Sequence, residues 1–371
     1  MTNLKLYDCP ICGSTNVTVY DIQFPQFLHM DFSVFDADGG QIGCCKTCGA
    51  IFRKVDESQA AKIEAIYTST DYAQHDEPHT LKVEEYSKPV SLGFLQAELL
   101  KGYLPKQNVA ILDIGCFDGK LLRELGHRCD AIDLCGFDVA VSPKFPKEKP
   151  FRFVSDDFKN IQGQFDLVVL SQSLQYIRDT TSLFEQIKSL LKPTGVLFVH
   201  VPNYLAKPCS LLLGDLFTHY TPENLSIVFA KAGFNFSLVK NSWFPRDIIS
   251  IGYFHGDVPA VAQTMAGALE QTLDKITKLS TVARDLSLEQ NFGVLGTTIE
   301  AAFIKSQLGH SVACFVDENP KKVGGTFYGC PIVHPRDLSD SDTVFIPIID
   351  TGVSLQDRLD FDYRAKFILP S

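Results

Sequence analysis

Cys9-Pro-Ile-Cys12-Gly and Cys45-Lys-Thr-Cys48-Gly place four thiols in two tight turns. Each pair can aim two sulfurs at one point, and the glycine behind it lets backbone N–H groups approach them. Four soft thiolates suit a closed tetrahedral Zn²⁺ site. The 32 residues between Cys12 and Cys45 form a long loop, but closure entropy grows slowly with length. Cys44 offers an assignment shifted by one position, yet only Cys45 keeps the two-residue spacing to Cys48. Four protein ligands leave no open position for a substrate, so the expected metal is structural. It would replace apolar core that a short segment cannot supply.

A second constellation begins where the apolar run VAILDIG reaches Gly115-Cys116-Phe117-Asp118-Gly119 and continues into the helical KLLRELGHRC. A glycine turn between strand and helix lets a ligand approach backbone N–H groups at the helix N-terminus. Asp138 follows Asp113 by 25 residues, at the end of LCGFDV. There a carboxylate can accept both hydroxyls of a ribose. Asp156-Asp157-Phe158 closes a third apolar run, placed for an adenine amino group and ring face.

Several strands must carry these turns. FRFVSDDF, FDLVVLSQ and GVLFVHVPN join VAILDIG and LCGFDVA as strand candidates, each followed by a loop or helical pattern. Such alternation predicts a parallel sheet covered by helices. Val258, Val261, Met265, Leu269, Leu273, Ile276, Leu279, Val282 and Leu286 recur every three or four positions. They predict one long amphipathic helix, a packing strut or alternatively a dimer seam. NFGVLG, VACFVDENP, TVFIPII and FILP then outline a second α/β region. The organisation expected is a zinc-binding module over 1–75, a Rossmann-like nucleotide-binding sheet over 76–255, and a linking helix with a second Rossmann-like domain over 256–371.

With 371 residues, 45% of them hydrophobic, the chain has the length and apolar content of two or three globular domains. Its net charge of -10 argues against a protein that coats nucleic acid. MTNLKLYDCPIC reads as no signal peptide, and no apolar run is long enough to span a bilayer. A soluble cytoplasmic chain is therefore expected, with reduced thiols. An odd total of 11 cysteines fits that better than a disulfide framework.

LDIGCFDG, GFD, SDDF, FDLVVLSQSLQYI and LKPTGVLFVHVPN, in this order, resemble the class I S-adenosylmethionine (SAM)-dependent methyltransferases. The resemblance implies a seven-stranded sheet, with Gly115 to Gly119 near the methionine part of SAM and Asp138 on its ribose. The cofactor set it implies is Asp113, Gly115, Cys116, Phe117, Asp118, Gly119, Asp138, Val139, Asp156, Asp157, Phe158, Ser171 and Gln172. An NAD-binding fold, which shares the acidic residue after the second strand, is the competing reading.

Across the whole chain, the three segments resemble the zinc-containing sugar C-methyltransferases, which act on nucleotide-linked deoxysugars. DIGCFDGKLL is similar to that family's acidic-Ile-Gly-x-x-Asp-Gly turn. IYTSTDYA, with Tyr72, lies where the family carries a tyrosine-bearing linker, and FVDENPKKVGGTFYGCPIV is similar to its last domain. The likeness implies a small-molecule acceptor, a nucleotide-linked sugar, methylated on carbon, with methylation on oxygen the alternative that the unmatched catalytic residues suggest. The family's histidine after the fourth strand falls on Tyr176, and its His-Glu-His cluster on about Gly214-Asp215-Leu216, so its catalytic set is not carried over. GDLFTHYTPENL makes His219 the candidate general base or substrate-orienting residue, with Tyr72, Tyr176, Asn203 and Tyr220 as polar supports. His200, inside an apolar strand, reads as a hydrogen-bonded core residue.

Gly296, Thr297 and Thr298 could present donors to the pyrophosphate of an activated sugar, or belong to a scaffold without a ligand. A rival from another class is a non-catalytic SAM- or nucleotide-binding partner protein in a sugar-modification pathway. The oligomeric state is left open.

Overall fold

The computed structural model describes residues 8–74, 80–155, 157–256, 268–348 and 352–370. The chain gathers into two compact units. The first comprises residues 1–20, 41–206 and 216–266, and the second residues 21–40, 207–215 and 267–371.

The first unit is built on a seven-stranded sheet. Its strands are β1 (Val109–Ile114), β2 (Ala131–Phe137), β3 (Phe151–Val154), β4 (Phe165–Ser171), β5 (Leu191–Pro202), β6 (Ser237–Leu238) and β7 (Asp247–Tyr253). They lie in the order β3-β2-β1-β4-β5-β7-β6. β1 to β5 run parallel, while β7 is antiparallel to both β5 and β6. All six residues of β1 are buried, which explains a continuous apolar run where a half-solvated strand would alternate. The chain order reverses between β1 and β4, so a crevice opens at the carboxyl ends of these strands, where such sheets bind ligands.

Helices cover both faces. Leu92–Leu100 starts at Ser91, whose side chain accepts from Phe94 N–H, and packs Leu95, Ala97 and Leu100 into the core beside Leu167, Val169 and Phe198. Thr180–Leu190 is capped by Asp179 and lays Leu183, Phe184 and Ile187 on the opposite face, with Val168, Leu170 and Val199. Burying each such side chain contributes about 1.5–3 kcal/mol.

The cysteine segment packs into this same unit. Cys9, Ile11, Cys45, Cys48, Ala50 and Phe52 belong to one core with Leu112, Leu170 and Leu197. Strand Ile51–Lys54 pairs antiparallel with Gly40–Cys45 on one side and with Thr218–His219 on the other. The helix Glu57–Tyr67 follows, set by a reciprocal cap between Asp56 and Gln59.

The second unit has a sheet of six strands, in the order Thr326–Phe327, Cys330–Val333, Val312–Val316, Phe292–Leu295, Thr343–Phe345 and Lys366–Ile368. Its pairs are parallel except the outer hairpin. The expected long helix is Ala268–Glu289, with Leu269, Ile276, Leu279, Ala283 and Leu286 buried. Val258, Val261 and Met265 lie outside the described residues. Among the described residues, no helix is long and apolar enough to cross a membrane.

Two elements differ locally from expectation. β3 stops at Val154, before the acidic pair. Asp157 caps a short 3-10 turn by accepting from Lys159 N–H, a use of Asp that competes with strand continuation. β5 begins at Leu191, so LKPT, ahead of the strand candidate GVLFVHVPN, also belongs to the strand.

Candidate functional site

Three carboxylates converge on the turn after β1. Asp113 ends that strand, Asp118 lies in the turn, and Asp138 follows β2; all three are buried. Gly115, Phe117 and Gly119 adopt positive φ values of 78°, 46° and 71°. Gly115 must be glycine for a second reason: a Cβ there would lie 2.5 Å from Ser173 Cβ. The turn is held by Gly115 N–H and Cys116 N–H donating to Phe137 O at 2.7 and 3.1 Å. Phe117 N–H donates to Asp138 Oδ2, and Val139 N–H to Asp138 Oδ1, both at 2.8 Å. The carboxylate keeps acceptor capacity for a ribose hydroxyl beyond these backbone donors.

The three carboxylates are not alike: Lys120 Nζ pairs with Asp118 Oδ2 at 2.9 Å. Burial, with the Asp138 and Asp118 charges adding to it, pushes the Asp113 carboxyl up to about 8. Asp138 is also raised by burial, against the backbone donors that hold it down. Burial likewise keeps the Cys116 thiol protonated. Among the described residues, Asp113 Oδ1 has no hydrogen-bond partner, an acceptor waiting for a donor.

Aromatic rings wall the site. Tyr72 meets Phe117 at 5.4 Å between centroids, and Tyr67 meets Tyr72 at 5.0 Å and Tyr176 at 5.2 Å. Burial and the nearby Asp138 charge raise the Tyr72 phenol, so it stays protonated. Thr68, Ser69, Thr70, Gln74, Val139 and Val141 line an adjoining cleft of about 500 Å³. Val139 and Val141 are 49% and 55% exposed beside it, as apolar platforms for a flat ring would be.

The other expected cofactor residues divide. Ser171, at the end of β4, is half-buried, and Gln172 turns the chain with a φ of 56°. Phe158 is half-buried against Phe137, 5.3 Å between centroids. Asp157 is exposed and occupied with its cap. Asp156 lies outside the described residues.

His219 and Tyr220 sit elsewhere in the unit. His219 is 3% exposed, in the short strand paired with Ile51, and its ring meets Tyr204 at 5.8 Å. Burial, aided by the Arg53 charge, lowers its imidazole to about 3. Tyr220 is fully buried, which raises its phenol. Asn203 is half-buried and spends its side-chain oxygen on Leu205 N–H at 3.1 Å. His200 is wholly buried, with Nδ1 2.7 Å from Gln96 and Nε2 3.2 Å from Asp247. Sequence reasoning passed over Gln96 and Tyr67. Gln96 left a signal, a lone uncharged polar residue inside the apolar helix LGFLQAELL.

Cys9, Cys12, Cys45 and Cys48 form a group whose sulfurs all lie within 4.8 Å of one another. The Cys9–Cys48 and Cys12–Cys45 sulfur pairs are 3.5 Å apart. Zinc–sulfur bonds of about 2.3 Å imply tetrahedron edges of about 3.8 Å, so the group fits such an ion. Cys45, rather than Cys44, belongs to it. The Cys48 thiol beside Cys9 lowers the Cys9 thiol to about 6, while burial raises Cys12 to about 11. Without a cation the thiols cannot all ionise together. Thr180 Oγ1 donates to Pro10 O at 3.2 Å and Lys231 Nζ to Ile11 O at 3.0 Å, tying the first knuckle to two helices flanking the sheet.

Comparison with known proteins bears on the sheet and its loops. Residues 92–238 match the family model described as a methyltransferase domain. A trans-aconitate 2-methyltransferase of Escherichia fergusonii is 32% identical over 121 residues, covering 30% of this chain and 47% of that protein. A trans-aconitate 2-methyltransferase of Shigella flexneri serotype 5b is 29% identical over 161 residues, covering 41% and 63%. The chain thus spans about half the length of the curated relatives it matches. A structure of human N-acetylserotonin methyltransferase in complex with SAM covers 44% of this chain and 51% of its own, at 21% identity and a TM-score of 0.35. Taken with the strand order and the glycine turn after β1, the match over 92–238 makes this segment a class I SAM-dependent methyltransferase domain.

Proposed function

We propose that the protein binds SAM at the Gly115–Gly119 turn and transfers its methyl group to a small-molecule acceptor, a nucleotide-linked sugar. The observation that carries the SAM reading is buried Asp138, held by the N–H groups of Phe117 and Val139 at the glycine turn, with the unpartnered Asp113 Oδ1 in the same turn. A ligand ammonium suits the unpartnered Asp113 Oδ1 and offsets the Asp138 charge, whereas the pyrophosphate of NAD would add to that charge. The rings of Tyr67, Tyr72, Tyr176 and Phe117 supply electron-rich faces suited to a sulfonium.

SAM supplies an electrophilic methyl, and the chain's task is to align it with a nucleophile and exclude water. In this reading Asp138 holds the ribose, Val139 and Phe158 flank the adenine, and Tyr72 and Tyr176 bound the acceptor side. His219, neutral and buried, orients its surroundings rather than storing a proton. The four cysteines hold a structural Zn²⁺ that fixes residues 8–20 and 41–54 against the sheet. The carbohydrate acceptor is supported by the resemblance that runs through the zinc segment, the Tyr72 linker and the C-terminal segment. That resemblance also supports the division into 1–75, 76–255 and 256–371.

The test is to incubate the protein with SAM and a panel of sugar nucleotides, and to follow S-adenosylhomocysteine and methylated product by mass spectrometry. Turnover only with a carboxylic acid such as trans-aconitate would overturn the carbohydrate reading. SAM bound but unchanged across the panel would favour a non-catalytic partner protein, a reading motivated by Tyr176 standing where the resembling family has histidine.

A further inference from the structure

A chain of polar side chains, buried at its centre, runs beneath the carboxyl end of β4 and β5. His200 is 0% exposed and Gln96 1%. His200 Nε2 lies 3.2 Å from Asp247 Oδ2, its Nδ1 lies 2.7 Å from Gln96 Nε2, and Gln96 Nε2 lies 2.7 Å from Ser171 Oγ. The direction of each bond follows from what each group can do. An ionised carboxylate only accepts, so His200 Nε2 carries the hydrogen, and Nδ1, which faces the Gln96 Nε2 donor, accepts. The Gln96 amide therefore gives one N–H to His200 and its other to Ser171. With a lone pair so engaged, the Ser171 hydroxyl has its own hydrogen to give. Among the described residues, no protein acceptor takes it.

Register places this hydroxyl. Val169 pairs with Asp113 across β4 and β1, so Ser171, two residues on, ends β4 on the side of the sheet where β1 runs into the Gly115 turn. Ser171 is half-buried, and its side chain shares the strand face of Val169 and Leu167 under the helix that carries Gln96.

We propose that Asp247, His200 and Gln96 are positioning residues, a one-directional relay that fixes Ser171 as a hydrogen-bond donor to the α-carboxylate of SAM. The inference rests on the proposed SAM site. A buried network in which each member has a partner holds one geometry, so the donor is set before the ligand arrives.

The experiment is a double-mutant cycle read by calorimetric titration with two probes, S-adenosylhomocysteine and 5′-methylthioadenosine, which lacks the amino-acid carboxylate. Ser171→Ala is expected to weaken S-adenosylhomocysteine roughly tenfold, in line with the loss of a hydrogen bond to a charged group, and to leave methylthioadenosine within about twofold. Gln96→Leu is expected to give a smaller loss on the same ligand only, and the double variant no more than Ser171→Ala alone. If Gln96→Leu does not fold, Gln96→Glu keeps the shape. Its carboxylate would draw the Ser171 proton toward itself, so it should match Ser171→Ala. Additive losses, or equal losses on both probes, would overturn the relay. A wild-type protein that binds neither probe would instead remove the SAM site on which it rests.

Discussion

Gly115→Ala tests the turn most sharply, because its cost can be assembled from separate parts. The residue has a φ of 78°, a conformation that costs an alanine about 1–2 kcal/mol. The new Cβ would lie 2.5 Å from Ser173 Cβ and 3.1 Å from its Oγ. Relief requires Ser173 to move and give up its 2.6 Å bond to Ile114 O, about 1 kcal/mol more. The sum is about 2–3 kcal/mol, or roughly 30- to 150-fold in an equilibrium constant. If the turn keeps its shape, the cost appears as lost folding stability. If it relaxes in the free protein, the cost moves to ligand affinity. Denaturant unfolding and S-adenosylhomocysteine titration on the same variant therefore give two numbers whose sum is the quantity of interest. Adding Ser173→Gly should cost less than the two single changes together, since the Ile114 bond is already lost. A sum below about 0.5 kcal/mol would refute the close-approach argument, because left-handed strain alone exceeds it.

Cys9→Ser should lose bound zinc and lower the melting temperature, since zinc binding of about 10–16 kcal/mol in zinc-finger peptides acts as folding energy; metal analysis showing full zinc and unchanged melting would contradict the four-cysteine site. The Asp113 carboxyl, raised to about 8, binds its proton more tightly folded than unfolded. It therefore lowers stability as pH rises from about 4 to 8. Asp113→Asn should remove that loss, and a melting profile between those limits that is parallel to wild type would count against it. His219 runs the other way: with its imidazole lowered to about 3, stability falls as pH drops from about 6.5. His219→Gln should flatten that acid limb, and a wild-type activity break near neutral pH that vanishes in this variant would show His219 holding a proton after all.

The sheet was legible because its parallel strands are buried on both faces and read as unbroken apolar runs. VAILDI and FDLVVLS coincide with β1 and β4. The glycine turn and Asp138 were legible because positive φ and a carboxylate 25 positions on are local marks. β7 was not, since its antiparallel place between β5 and β6 depends on a long-range pairing. The same limit hid the relay: Gln96 and His200 are 104 positions apart, and His200 and Asp247 are 47. His219 shows the converse difficulty. Its segment suggested a base, but burial beside Tyr204 and the Arg53 charge decide its protonation, and neither is written locally. Residues 21–40 and 207–215 group with the C-terminal unit, an association their composition does not announce.

Calorimetric titration of the wild-type protein with S-adenosylhomocysteine and, separately, with NAD is the most direct test of the SAM site. The SAM reading of the Asp138 turn gives one binding event with S-adenosylhomocysteine, abolished or strongly weakened by Asp138→Ala, and none with NAD. Binding of NAD without S-adenosylhomocysteine, or binding that Asp138→Ala leaves unchanged, would contradict it.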